Sequence, residues 1–108
     1  MSGTKSRNKG ASYEREIVNE LKSHGIKAER VPLSGAMKGN YGGDLKIGPN
    51  LALIAECKRR KKGFSGIYKA LEQDDADMLF CRDDNQKSFV VIPIEQFISF
   101  GKWLGWDK

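Results

Sequence analysis

The run Gly43-Asp44-Leu45-Lys46-Ile47-Gly48-Pro49-Asn50-Leu51-Ala52-Leu53-Ile54-Ala55-Glu56-Cys57-Lys58 constrains the fold more than any other stretch of the chain. It reads as two apolar strands joined at Gly48-Pro49-Asn50, a turn signal. Glu56 and Lys58 interrupt the second strand where a central strand continues apolar, and a buried charge is costly unless it is paired or holds a metal. Side chains alternate along a strand, so Leu51, Leu53, Ala55 and Cys57 share one face while Ala52, Ile54, Glu56 and Lys58 share the other. A three-residue loop sets Leu51 across from Ile47 and Asp44 across from Ile54, which brings Asp44 to the face of Glu56 and Lys58. A loop one residue longer or shorter reverses that parity.

A second acid points the same way from another element. From about Ala11 to His24 the pattern predicts a helix, with Gly25 as its stop. Turning about 100° per residue puts Tyr13, Ile17, Leu21 and Val18 at roughly 0°, 40°, 80° and 140°, and Glu14 at roughly 100°. Glu14 therefore lies inside the apolar arc, whereas Arg15, Glu16, Asn19, Lys22 and Ser23 fall outside it. An acid in a first helical turn suits the helix dipole, but the dipole does not explain why this one faces inward.

The remaining segments frame these residues. Residues 1–10 carry Lys5, Arg7 and Lys9 with nothing to bury and read as a flexible basic arm, ahead of a single domain at 11–108. Ile26 to Val31 reads as a short strand ended by Pro32, and Leu33 to Gly43 as a glycine-rich loop. Arg59, Arg60, Lys61 and Lys62 extend Lys58 into five successive cations closed by Gly63. Such a run is usually a solvated face, but here it leaves directly from the charged strand, which points to nucleic-acid contact. A helix is predicted from Ser65, as N-cap, to about Asp75, with Ile67, Ala70 and Leu71 inward. Met78 to Cys81 and Phe89 to Ile92 read as a second hairpin, and Ile94 to Leu104 as a last helix. Phe100, Trp103 and Trp106 are expected in the core, with a dimer surface as the alternative.

Bulk properties narrow the classes. A chain of 108 residues suffices for one core. The net charge of +5 and pI near 9.3 favour a polyanionic partner. No apolar run approaches the roughly 18 residues of a membrane span and no signal peptide is visible, so a cytoplasmic location is expected. Cys57 and Cys81 lack metal-ligand spacing and read as reduced core residues, which argues against zinc.

Two carboxylates beside a lysine suit metal-assisted phosphodiester cleavage. Hard oxygen ligands suit magnesium, so Asp44 and Glu56 are the expected direct ligands, with the Cys57 backbone carbonyl as a third. Lys58 is placed to orient the attacking water or stabilise the transition state, and Glu14 to bind a second metal or a metal-bound water. An exposed Glu56–Lys58 salt bridge is the plainer reading, but it does not account for Asp44 and Glu14.

Asp44, followed twelve residues later by Glu56-Cys57-Lys58, resembles the Asp and Glu-x-Lys pattern of the PD-(D/E)xK nucleases, with Gly43 where the motif's name has proline. Lys9-Gly10-Ala11-Ser12-Tyr13-Glu14-Arg15-Glu16 resembles the opening of the archaeal-type Holliday junction resolvases, which continues through Arg30 and Ser34-Gly35 to the Asp strand. The loop before Asp44 is longer and richer in glycine than the archaeal pattern, and the part after Gly63 matches it poorly. The compact form resembles versions carried by bacterial viruses. The resemblance implies a restriction-endonuclease-like α/β fold, with a central mixed β-sheet of about five strands flanked by helices. It also implies a catalytic Glu14 beside Asp44, Glu56 and Lys58, and a magnesium cofactor for which manganese substitutes. Further implications are a homodimer that nicks opposed strands of a four-way junction, Arg15 and Arg30 near the DNA backbone, and Ser34 in junction handling. A nuclease of the same fold acting on flapped, nicked or duplex DNA, and a non-catalytic DNA-binding module, are the alternatives.

Overall fold

The computed structural model describes residues 2–31 and 44–108, with side chains from Gly10 onward. The loop expected at Leu33 to Gly43, with Ser34, lies outside the described residues, as does the Lys9 side chain.

Helix α1 spans Ser2–Ser23. It starts well before Ala11, so the backbone of the segment expected as an arm is helical from Ser2. Once the apolar turns around Val18 and Leu21 are anchored, each further residue adds a hydrogen bond without a new nucleation cost, and no proline interrupts the extension. The expected arc is buried: Val18 and Leu21 are in the core, Tyr13 and Ile17 are half-buried, and Arg15, Glu16, Asn19, Lys22 and Ser23 are exposed. The stop is a Schellman turn. The Ile26 N–H donates to the Leu21 carbonyl at 3.0 Å and the Gly25 N–H to the Lys22 carbonyl at 2.9 Å, with Gly25 at φ +82°. Leu21 and Ile26, the two ends of that turn, are each only 1% exposed, the apolar positions that usually accompany such a stop.

The chain leaves this turn into β1 (Ala28–Arg30), against which α1 packs, and continues with β2 (Leu45–Ile47) and β3 (Leu53–Ala55). These form a three-stranded antiparallel sheet in the order β1-β2-β3. β2 is central, and its Leu45 and Ile47 are buried with Ala28, Val31, Val18, Leu21 and Ile26. Fully burying side chains such as Leu21, Ile26 and Leu45 is worth about 1.5–3 kcal/mol each. The β2–β3 register pairs Leu45 with Ala55, Lys46 with Ile54 and Ile47 with Leu53. The connection is therefore five residues, Gly48 to Ala52, around a 3-10 turn at Pro49–Leu51, and not the three expected. Two extra residues shift the pairing by two and preserve its parity through β2 and β3.

The backbone groups into two compact units, residues 1–59 with 101–108, and residues 60–100. In the second unit α2 (Ser65–Gln73) turns Ile67, Ala70 and Leu71 inward, as its spacing predicts. Its cap position is Phe64, with no side-chain cap bond, one residue before the expected Ser65. Strands β4 (Leu79–Cys81) and β5 (Phe89–Val91) form an antiparallel hairpin. Phe80 and Phe89 are 70% and 61% exposed, and Cys81 is exposed where a core position was expected, because a two-stranded ribbon has two open faces. Helix α3 (Ile94–Trp103) follows; Phe100 and Trp106 are half-buried, and Trp103 is exposed in place of its expected core position.

The five strands thus fall into sheets of three and two, all antiparallel among the described residues, and not one central mixed sheet. The β2–β3 and β4–β5 ladders are hairpins and therefore antiparallel, and β1 pairs antiparallel with β2 as well. No helix among the described residues is long and apolar enough to cross a membrane.

Candidate active site

Glu14 is held by α1. It lies on the same arc as Val18 and Leu21 and is buried to 6% exposure, as the helical arc predicts. An uncompensated carboxylate at that depth costs several kcal/mol by general estimates. The compensation comes from β1: Arg30 Nε donates to Glu14 Oε1 at 3.0 Å, from a side chain about one third exposed. Arg30, expected near the DNA backbone, is thus the ion-pair partner of Glu14. No sequence motif signals this pairing, although a buried acid by itself calls for a cation within reach.

Asp44 precedes β2 and is 5% exposed. Its backbone is tied on both sides, since the Asp44 N–H donates to the Ala55 carbonyl at 2.7 Å and its carbonyl accepts from the Val31 N–H at 2.9 Å. Its carboxylate is tied as well: Oδ2 accepts the Cys57 N–H at 2.8 Å. That amide donor was missed by the sequence reading, which considered only the Cys57 carbonyl. A charged acceptor on a backbone N–H makes one of the stronger hydrogen bonds available here.

Glu56 and Lys58 lie past the end of β3 and are exposed. This corrects the expectation that they are charges buried in a core strand. β3 buries none of its three residues, and burial falls on Glu14 and Asp44 instead. The Asp44 N–H meets the Ala55 carbonyl one residue out of the β2–β3 register, so the regular ladder ends before Glu56.

One atom registers all three acids. The half-buried Cys57 thiol is pushed up to about 11, first by burial and then by the negative charges of Asp44, Glu14 and Glu56. The negative charges of Asp44, Glu14 and Glu56 thus all bear on the Cys57 thiol. A concentration of negative charge of this kind favours a cation.

Among the described residues no group of three or more His, Cys, Asp or Glu side chains is arranged to hold a metal ion. Magnesium does not require such a group, because it binds through one or two carboxylates and retains several waters. Asp44 and Glu56 carry the hard oxygen donors that would hold such an ion. Glu14, expected as a further ligand, has Oε1 committed to Arg30.

Of the other basic residues singled out, Arg15 is exposed on α1, and Arg59, Arg60, Lys61 and Lys62 are exposed between β3 and α2. Lys9 and Ser34 cannot be placed against the site, since they fall outside the described side chains.

A family model described as "Phage putative PDDEXK endonuclease" matches residues 5–102. The crossover junction endodeoxyribonuclease Hjc of Sulfurisphaera tokodaii is 29% identical to the chain over 104 residues, 95% of this chain and 70% of the relative. No solved structure matches the chain significantly.

Proposed function

Because the chain belongs to the phage PDDEXK endonuclease family, we propose that it is a magnesium-dependent endonuclease that resolves four-way DNA junctions by paired phosphodiester cleavage. The observation that carries this reading is the buried Asp44 carboxylate pinned by the Cys57 N–H, the amide of the residue between Glu56 and Lys58. The junction as substrate rests on the similarity to a crossover junction endodeoxyribonuclease over 95% of this chain.

In this reading Asp44 and Glu56 hold the metal, with the Cys57 carbonyl as a further oxygen donor. When bound, magnesium, or manganese in its place, supplies a water of lowered pKa and positive charge against the phosphate. The Cys57 N–H keeps the Asp44 carboxylate oriented before substrate arrives. Lys58, exposed beside Glu56, donates to the attacking water or to a phosphate oxygen as charge develops on it. Glu14, oriented by Arg30, orders water at the inner edge of the site. Lys9, Arg15, Ser34, Arg59, Arg60, Lys61 and Lys62 contact the DNA backbone, which makes binding sensitive to salt. Two opposed nicks need two such sites, so the working form is a homodimer, acting in the cytoplasm of a prokaryotic cell or of a phage host.

The test is to incubate the protein with magnesium and a labelled four-way junction, a flap, a nicked duplex and a linear duplex. Faster cutting of the junction supports the proposal. Linear duplex cut as fast as junction would sink the resolvase assignment while leaving a nuclease, and salt-sensitive binding without any cleavage would leave a DNA-binding module. A monomeric mass with and without junction would overturn paired cleavage.

A further inference from the structure

Five consecutive cations, Lys58 to Lys62, offer a diffuse charge, yet one of them has an aromatic partner. The Arg60 guanidinium carbon sits 5.5 Å from the centroid of the Phe64 ring, within cation–π range. The turn between them makes this contact possible. Gly63 takes φ +132°, a conformation that L side chains rarely adopt, and so lets the chain double back beneath Arg60. A Cβ on Gly63 would stand 3.5 Å from Arg60 Cδ and 3.8 Å from one terminal nitrogen, so the arginine lies along the turn as well as over the ring. Phe64 is itself half-buried where α2 begins, and the Ile67 and Tyr68 N–H groups donate to its carbonyl at 3.0 and 3.2 Å. Among the described residues no ion pair or side-chain hydrogen bond fixes Lys58, Arg59, Lys61 or Lys62.

We propose that Phe64 is a positioning residue that pre-organises Arg60 to contact a DNA phosphate. The inference rests on the DNA-cleaving reading and goes beyond it by separating one cation of the run from the rest. A guanidinium held over an aromatic face still has N–H groups to offer, and these match the oxygens of a phosphate. Holding the side chain beforehand removes much of the ordering cost that a free arginine meets on binding. Lysine neighbours lack the planar group that stacks in this way.

The test is equilibrium binding of a fluorescent linear duplex and a four-way junction, in calcium or in chelator so that nothing is cut, over a series of salt concentrations. Phe64→Leu is expected to weaken binding about two- to five-fold. It should also flatten the dependence of log K on log salt in the same direction as Arg60→Ala, which removes up to about one phosphate contact, or ~0.9 in slope. Phe64→Trp, which keeps an aromatic face, should match the wild type. In the Arg60→Ala background, Phe64→Leu should cost nothing more. Equal losses from Phe64→Leu in both backgrounds, or no loss in the wild-type background, would overturn the inference and assign Phe64 to packing alone. Leu retains most of the apolar bulk and is expected to fold, which circular dichroism and the urea midpoint check; where it does not, Phe64→Met takes its place in both backgrounds with the same expected and overturning outcomes. Wild-type protein that binds neither DNA overturns the DNA-cleaving reading and this inference together, whereas wild-type cleavage with an unaffected Phe64→Leu variant overturns this inference alone.

Discussion

The Cys57 N–H donates to Asp44 Oδ2 at 2.8 Å, linking the end of one strand to an acidic side chain thirteen positions earlier. The bond orients a carboxylate that is already buried, and it does so from the residue between Glu56 and Lys58. The Glu-x-Lys spacing therefore has a backbone meaning in this chain: its middle residue supplies the amide that holds the first acid in place.

Two substitutions separate the charge of Asp44 from its acceptor role. Asp44→Asn retains an oxygen for the Cys57 N–H but loses the charge. It is expected to fold, to bind a four-way junction with wild-type affinity, and to cut it on the order of 100-fold more slowly or worse. Asp44→Ala also removes the acceptor and is expected to lose about 1–3 kcal/mol in urea unfolding. A folded Asn variant that no longer binds junction would count against the metal-ligand role.

Arg30→Ala leaves Glu14 buried beside no guanidinium. A loss of about 2 kcal/mol is expected, below the usual cost of breaking a fully buried pair because Arg30 is about one third exposed. Adding Glu14→Gln should recover part of it. A double variant no more stable than Arg30→Ala would mean that the arginine acts through packing alone, and chemical denaturation of the four proteins of the cycle decides.

Gly25→Ala places a side chain at φ +82°, with its Cβ 3.2 Å from the Cβ of Asp107. The expected destabilisation is about 1–2 kcal/mol, set mainly by the left-handed backbone. Thermal unfolding measures it. An unchanged midpoint would show that the helix stop does not depend on glycine.

The Cys57 thiol gives a pH signature in metal-free protein. Its proton is held up to about 11 in the folded chain, against 9.0 for an unperturbed thiol, so between those values the unfolded chain binds fewer protons. Stability from this group is complete below pH 9 and is lost as pH rises toward 11. Cys57→Ala should flatten the fall in urea midpoint across that window. In native protein Cys57 should also alkylate more slowly at about pH 8 than in urea.

The sequence by itself determined what local geometry can encode. The 3.6-residue period predicts that Glu14 faces inward with Val18 and Leu21, Gly25 announces the helix stop, and the alternation in two apolar runs predicts that Asp44 shares a face with Glu56. The loop is two residues longer than expected, which leaves the parity of the β2–β3 pairing unchanged because strand faces repeat every two. Only the tertiary structure decided that Arg30 pairs with Glu14, that the Cys57 amide holds Asp44, that Glu56 and Lys58 are exposed, and that five strands fall into sheets of three and two. Periodicity specifies the direction in which a side chain points along its own element. It carries no information about which donor from another element arrives within about 3 Å, and register and packing set that distance only once the chain has closed.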